Sequence, residues 1–267
     1  MARRRLDAEL VRRGLARSRQ HAADLVSSGQ VTVAGVVAKK VATQVDPAAP
    51  VNVTAERVGE AYASRGAHKL VGAIDAFSRA GLVVAGRRCL DAGASTGGFT
   101  DVLLRNGAAV VVAVDVGYGQ LVWRLQSDAR VVILDRTNVR DLTVDMVGGP
   151  VDLVVADLSF ISLRLVLPSF DRVTTPSADL LLMVKPQFEV GREALPSGGV
   201  VRDPRARADA VASVAEHAAA AGWGARGVTA SPLPGPAGNV EYFLWLSRGA
   251  PALDRTAVTR AVEEGPA

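Results

Sequence analysis

The chain has 267 residues, of which 49% are hydrophobic and 22% charged, and a formal net charge of +4. That leaves room for one ample α/β domain and a small companion. The single cysteine, Cys89, excludes a disulfide framework, and the three scattered histidines, His21, His68 and His217, offer no obvious metal ligands. No apolar run reaches membrane-spanning length, and the arginine-rich start leads into an amphipathic pattern, so a cytoplasmic protein with no membrane and no metal is expected.

Charge is unevenly placed. Residues 1–60 hold ten lysines and arginines against six aspartates and glutamates, so the whole excess lies there. A basic module on a neutral body points to a polyanionic partner such as nucleic acid, although charge alone is equally consistent with a solubilising terminus. Leu6, Leu10, Val11 and Leu15, then Ala22, Leu25 and Val26, recur at helical spacing, with Gly14 and Gly29 placed to end each segment. Two short helices are predicted, followed by strands in "QVTVAG" and "VVAKKV" around an Ala34–Gly35 turn and another at Val51–Val53. The stretch "LDAELVRRGLARSRQHAADLVSSGQVTVAG" resembles the S4 RNA-binding module. That resemblance implies a small α+β domain docking RNA through phosphate and shape contacts, with Arg4, Arg12, Arg13, Arg17, Arg19, Lys39, Lys40 and Arg65 as candidate RNA-binding residues. Pro47 and Pro50 punctuate its end. The expected organisation is an RNA-binding domain over residues 1–60, a linker over 61–68, a catalytic domain over 69–248 and a tail over 249–267.

"GRRCLDAGASTGGFTDVLLRNG" followed by "AVVVAVDVGYGQL" has the spacing of strand, glycine turn, helix, strand. Gly93, Gly97 and Gly98 are expected to let the backbone approach a ligand, and Asp115 to accept from a ribose diol. These features suit either a dinucleotide or S-adenosylmethionine. Ser95 occupies the place of the middle fingerprint glycine, and Asp91 would repel a pyrophosphate but suits a cationic sulfonium and ammonium. The loop resembles motif I of class I methyltransferases, making Asp91, Gly93, Ala94, Ser95, Gly97, Gly98, Phe99 and Asp115 candidate cofactor residues. After "RVVILD", Asp135 and Asn138 are further candidates for contacting the adenine, with a helix cap by Thr137 or Asn138 as the plainer alternative.

Asp157 closes "VDLVVADLSF", Lys185 closes "LLLMVKPQFE" and Glu241 opens "VEYFLWL", so all three lie at ends of strand-like runs, where open α/β sheets bind ligands. "DLSF" lacks the paired prolines of enzymes that methylate base amines, which favours an oxygen target. A ribose hydroxyl is a poor nucleophile and needs a base within hydrogen-bond reach. Lys185 is the candidate base because the cation at Lys69 and a nearby sulfonium both disfavour its charge, with Asp157 and Glu241 orienting the lysines and opposing that effect.

Lys69 in "SRGAHKL", Asp157 in "DLSFISL", Lys185 in "VKPQFEVG" and Glu241 in "PLPGPAGNVEYFLWL" match the Lys-Asp-Lys-Glu tetrad of FtsJ-like ribose methyltransferases, and the surrounding words resemble the TlyA family through about residue 248. The resemblance implies a class I, Rossmann-like, mostly parallel sheet with helices on both faces. It also implies S-adenosylmethionine as cofactor and cytidine 2'-oxygens of ribosomal RNA, in either or both subunits, as target. A link to capreomycin-type antibiotics follows from it too. One departure is the linker "GEAYASRGA", a stretch in which family members can carry an arginine and a tryptophan. "EVGREALPSGGVVRDP" reads as an ordinary surface loop or as a lid reaching RNA through Arg192 or Arg202. The rival readings are a non-catalytic RNA-binding protein, a membrane-active haemolysin and a base methyltransferase. A monomer is the simplest expectation.

Overall fold

The computed structural model describes residues 4–16, 19–27, 29, 31–53, 62–191, 193, 195–235 and 237–266. Arg17, Arg192 and residues 54–61, which include the start of the expected linker, lie outside them. The chain divides into two compact units, Met1–Ala61 and Tyr62–Ala267.

The first unit runs β1 (Arg4–Arg5), α1 (Leu6–Arg12), α2 (Arg19–Ser27), β2 (Val31–Val33), β3 (Val36–Val37), β4 (Gln44–Val45) and β5 (Val51–Val53). β2 pairs antiparallel with β3 and β5, and β1 with β4. Ala34 and Gly35 both take positive φ, +49° and +81°, as a two-residue hairpin turn requires. Most of the helical spacing read from the sequence is the buried face: Leu6, Leu10, Ala22 and Val26 pack with Val31, Val45 and Val51 into a small core, Leu15 and Leu25 are partly buried against it, and Val11 is exposed.

The second unit contains α3 (Ala67–Ser78), β6 (Arg88–Ala92), α4 (Gly98–Arg105), β7 (Val110–Val114), α5 (Trp123–Gln126), β8 (Val131–Leu134), β9 (Val151–Ala156) and α6 (Leu167–Val173). It continues through β10 (Thr174–Val184), α7 (Pro186–Glu189), α8 (Pro204–Ala220), β11 (Trp223–Ala230), β12 (Tyr242–Arg248) and α9 (Arg255–Glu263). Among the described residues these strands form one seven-stranded sheet in the order β11-β12-β10-β9-β6-β7-β8, antiparallel at β10-β12-β11 and parallel elsewhere. Both faces are covered, and successive strand residues serve opposite cores, as the period-two pleat dictates. Leu90, Val112, Val154 and Leu182 pack toward α6, α8 and α9, whereas Cys89, Val111, Val155 and Met183 pack toward α3 and α4.

Two expectations are corrected here. Residues 249–267 are not a tail: Asp254 accepts from the Thr256 N–H to cap α9, whose Val258 and Ala261 enter the core. The expected linker is shorter at its end, because Ala67 and His68 already belong to α3.

Candidate active site

The parallel strands β9 and β10 end at Ala156 and Val184, and β12 runs the opposite way, placing Tyr242 beside Val184. Asp157 and Lys185 therefore follow their strands, and Glu241 precedes its own, at one edge of the sheet. Lys69 reaches the same place from the first turn of α3. Its Nζ lies 2.6 Å from Glu241 Oε2 and 3.8 Å from Asp157 Oδ2, and Lys185 Nζ lies 2.5 Å from Asp157 Oδ1. The four residues form one continuous chain, Glu241–Lys69–Asp157–Lys185. Three of the side chains are nearly removed from water, with Glu241 at 1%, Lys185 at 8% and Lys69 at 11% exposure, while Asp157 keeps 22%. Buried charges persist when paired, and here each carboxylate meets a lysine.

Asp157 also lines a cleft of about 360 Å³ with Gly93, Ser95, Asp115, Gln120, Asn138 and Phe160. Its described lining residues include two carboxylates, Asp115 and the lysine-paired Asp157, and no lysine or arginine. Asp115 ties the wall together: Oδ2 accepts from the Ser95 N–H at 2.8 Å and Oδ1 from the Gly117 N–H at 2.7 Å. Asp135 does not line the cleft and instead accepts from the Gly119 N–H at 2.9 Å, bracing the same turn. Asn138 both lines the cleft and caps a 3-10 turn by accepting from the Arg140 N–H.

The glycine loop borders the cleft. Only Gly93 and Ser95 of its residues face the cleft. At Gly93, where φ is +86°, a Cβ would fall 2.6 Å from the Asp157 carbonyl oxygen, so glycine here lets β6 and β9 close up beneath the cleft. Gly97 and Gly98 are close to other protein atoms: a Cβ would strike Leu125 and Leu121 at the first, and Ser64 Oγ and the Ala67 N at the second. Ala94 and Phe99 are buried, Phe99 against Phe243. Asp91 is fully buried; Thr100 donates to its Oδ2 at 2.7 Å, and Oδ1 has no hydrogen-bond partner among the described residues. Burial raises its pKa to about 7, with Asp157 and Asp115 adding to the rise and Thr100 opposing it.

Three residues that no sequence pattern singles out border the site. Ser159 Oγ lies 3.1 Å from Lys185 Nζ. Phe160 stands 91% exposed on the cleft wall at φ +63°, its ring 5.3 Å from that of Phe188. Glu189 is buried beneath the loop that carries both. Positive φ on a bulky aromatic is a local strain that no spacing pattern encodes.

In the first unit, Arg4, Arg12, Arg19, Lys39 and Lys40 are exposed, as is Arg65 in the second. Arg13 is committed internally: it pairs with Glu9 at 2.7 Å and donates to the Ala49 and Pro47 carbonyls. Arg12 shares the same carboxylate at 2.6 Å, and the two guanidiniums hold Glu9 down at a pKa of about 2. Among the described residues no helix is long and apolar enough to cross a membrane, and no cluster of three metal-ligating side chains occurs.

The chain matches the model of the FtsJ-like methyltransferase family over residues 62–248 and that of the S4 domain over residues 4–51. It is 58% identical over 273 residues, across the full length of both chains, to a Mycobacterium tuberculosis protein named 16S/23S rRNA (cytidine-2'-O)-methyltransferase TlyA. Hemolysin A of Brachyspira hyodysenteriae is 35% identical over 90% of this chain and 98% of that one. A solved structure from Streptococcus thermophilus that carries a hemolysin name superposes with a TM-score of 0.76 at 35% identity, covering 99% of this chain and 96% of the other.

Proposed function

This chain belongs to the TlyA family of FtsJ-like methyltransferases, and we propose that it transfers a methyl group from S-adenosylmethionine to the 2'-oxygen of cytidine in ribosomal RNA of the small subunit, the large subunit or both. The observation that carries this reading is the ion-pair chain Glu241–Lys69–Asp157–Lys185 lying beside an acidic cleft. A cleft lined by Asp115 and Asp157, without a basic side chain, suits a sulfonium and would repel a pyrophosphate. Gly93, Ser95, Asp115 and Asn138 are the residues that would hold the cofactor. Asp115 already accepts two backbone N–H groups and retains lone pairs for a ribose diol. S-adenosylmethionine bound there supplies the electrophilic methyl group.

The protein's own part is to orient a hydroxyl and take its proton. Glu241 serves as the close counter-ion of Lys69 at 2.6 Å, which leaves Asp157 divided between Lys69 at 3.8 Å and Lys185 at 2.5 Å. Lys185 touches the two cleft residues Asp157 and Ser159, which supports its Nζ as the group that receives the ribose proton as the new carbon–oxygen bond forms. Phe160 offers an exposed ring on the same wall, a stacking face for an unpaired base. In the first unit Arg4, Arg12, Arg19, Lys39 and Lys40 supply exposed positive charge for RNA phosphates. The reading requires no metal and no second copy, because base and orienting groups come from one chain, and it places the enzyme with ribosomes in the cytoplasm.

The test is methyl transfer from labelled S-adenosylmethionine to purified small and large ribosomal subunits, with the product mapped by mass spectrometry. Label should appear on a ribose 2'-oxygen, and Lys185→Ala should lower the rate at least about 100-fold, the lower range of general-base contributions. Label on a base, or an unimpaired Lys185→Ala enzyme, sinks the assignment.

A further inference from the structure

The loop from Asp157 to Leu163 carries Asp157, Ser159 and Phe160. It is pinned at its start, where the Asp157 N–H donates to the Ala92 carbonyl at 3.0 Å. Its other end is held by a single side chain from a different segment. Glu189 Oε1 accepts from the Leu163 N–H at 2.7 Å and Oε2 from the Ser162 hydroxyl at 2.5 Å, so each carboxylate oxygen holds one point of the loop. Glu189 is 5% exposed, and burying a carboxylate is costly unless its partners are fixed. Arg164 completes the clamp, with Nε 3.5 Å from Oε2 and 3.1 Å from Ser162 Oγ, and with Nη2 donating to the Glu189 carbonyl at 3.1 Å.

What makes this contact matter is where Glu189 is attached. It ends α7, the single turn whose N-cap is Lys185, and the Phe188 N–H donates to the Lys185 carbonyl at 2.9 Å. The candidate base and the clamp thus ride on one rigid turn, while the residues facing Lys185 ride on the clamped loop. Lys185 Nζ meets Asp157 at 2.5 Å and Ser159 at 3.1 Å across this join, and the Phe160 and Phe188 rings meet above it. We propose that Glu189 is a positioning residue for methyl transfer: it sets the spacing between Lys185 and the loop bearing Asp157, Ser159 and Phe160. This rests on the function proposed above.

Glu189→Ala, Glu189→Gln and Ser162→Ala are compared with the full-length wild type for methyl transfer to ribosomal subunits and for S-adenosylmethionine affinity by calorimetry. An ångström of misplacement is worth up to about 100-fold in rate. Glu189→Ala is therefore expected to lose kcat on that scale while KM for the subunit and cofactor affinity change much less. Glu189→Gln, which keeps an acceptor for Leu163 and a group for Ser162, recovers most of it. Wild-type kcat in Glu189→Ala overturns the proposal. So does a loss shared equally by cofactor binding, or one that glutamine fails to restore. Should Glu189→Ala not fold, Ser162→Ala decides: reduced kcat at unchanged KM supports the clamp, and wild-type kcat rejects it. A wild type inactive on both subunits would fail the functional reading itself.

Discussion

Lys69 and Glu241 give up water together, at 11% and 1% exposure, and their 2.6 Å contact is the most deeply buried link in the tetrad. Removing one partner of such a pair costs about 3–5 kcal/mol, because the other is left charged and uncompensated, whereas replacing both with apolar groups is often neutral. Lys69→Met and Glu241→Met should each lower the melting temperature markedly, and the double variant should recover most of it while remaining inactive in methyl transfer. Thermal denaturation beside the transfer assay checks this; a double variant no more stable than either single one contradicts it. Asp91 yields a pH-dependent prediction. Its carboxyl has a pKa near 3.8 when unfolded and about 7 when folded, raised chiefly by burial. The folded state therefore binds the proton more tightly, so the stability from this group is complete below about pH 4 and is lost as pH rises through about 7. A difference of about three pH units is worth about 4 kcal/mol. Asp91→Asn should be more stable than wild type at pH 8 and lose that advantage toward pH 4, as denaturant titrations at both values would show.

At the scale of elements, the segment between α7 and α8 is fastened by Asn239, itself 2% exposed. Its Oδ1 accepts from the Val201 N–H at 2.9 Å, and its Nδ2 donates to the Gly199 carbonyl at 2.8 Å. Asn239 lies two residues before Glu241, so the loop after Lys185 is tied to the approach to Glu241. Asn239→Ala leaves two backbone groups unpaired at about 1–3 kcal/mol each at most, and it should speed proteolytic cleavage within residues 190–203 before any global unfolding; unchanged cleavage would count against the tie. Legibility in the sequence follows how locally each element is determined. The β6–α4–β7 unit stands out because its strands are continuous apolar runs, as doubly covered strands are, whereas the equally apolar strand at "RVVILD" forms the sheet edge and leaves Val132 and Ile133 exposed. β11 does not: Gly224, Arg226 and Gly227 interrupt it, and its order comes from pairing with β12 across a register shift between Ala225 and Gly227. α8 and α9 did carry signals, Asp203-Pro204 and Asp254, whose side chains cap the two helices. The positions of Asp157, Lys185 and Glu241 are readable because strand ends collect functional groups, whereas Lys69, in the first turn of α3, is readable only through the family resemblance. The partners of Gly97, Gly98 and Glu189 are not, since each is supplied by a segment distant in sequence.

For the molecule as a whole, the excess of positive charge lies in the first unit, and the acidic cleft with its tetrad lies in the second. On the proposed function, that division separates two terms of the reaction, phosphate contacts setting how tightly a subunit is held and the tetrad acting in the step that follows. Neutralising exposed charges in the first unit should therefore change binding alone. Arg4, Arg19, Lys39 and Lys40 are suited to this, being exposed and apart from the Glu9 pairs that hold Arg12 and Arg13. With all four changed to glutamine, KM for the ribosomal subunit should rise and kcat at saturation should stay near wild type. The slope of log affinity against log salt should flatten by about 0.7 to 0.9 for each phosphate that the protein no longer neutralises. Steady-state kinetics across a salt series reads all three quantities together. A fall in kcat with an unchanged salt slope would mean that these residues act on the catalytic step, and the separation of docking from chemistry would have to be abandoned.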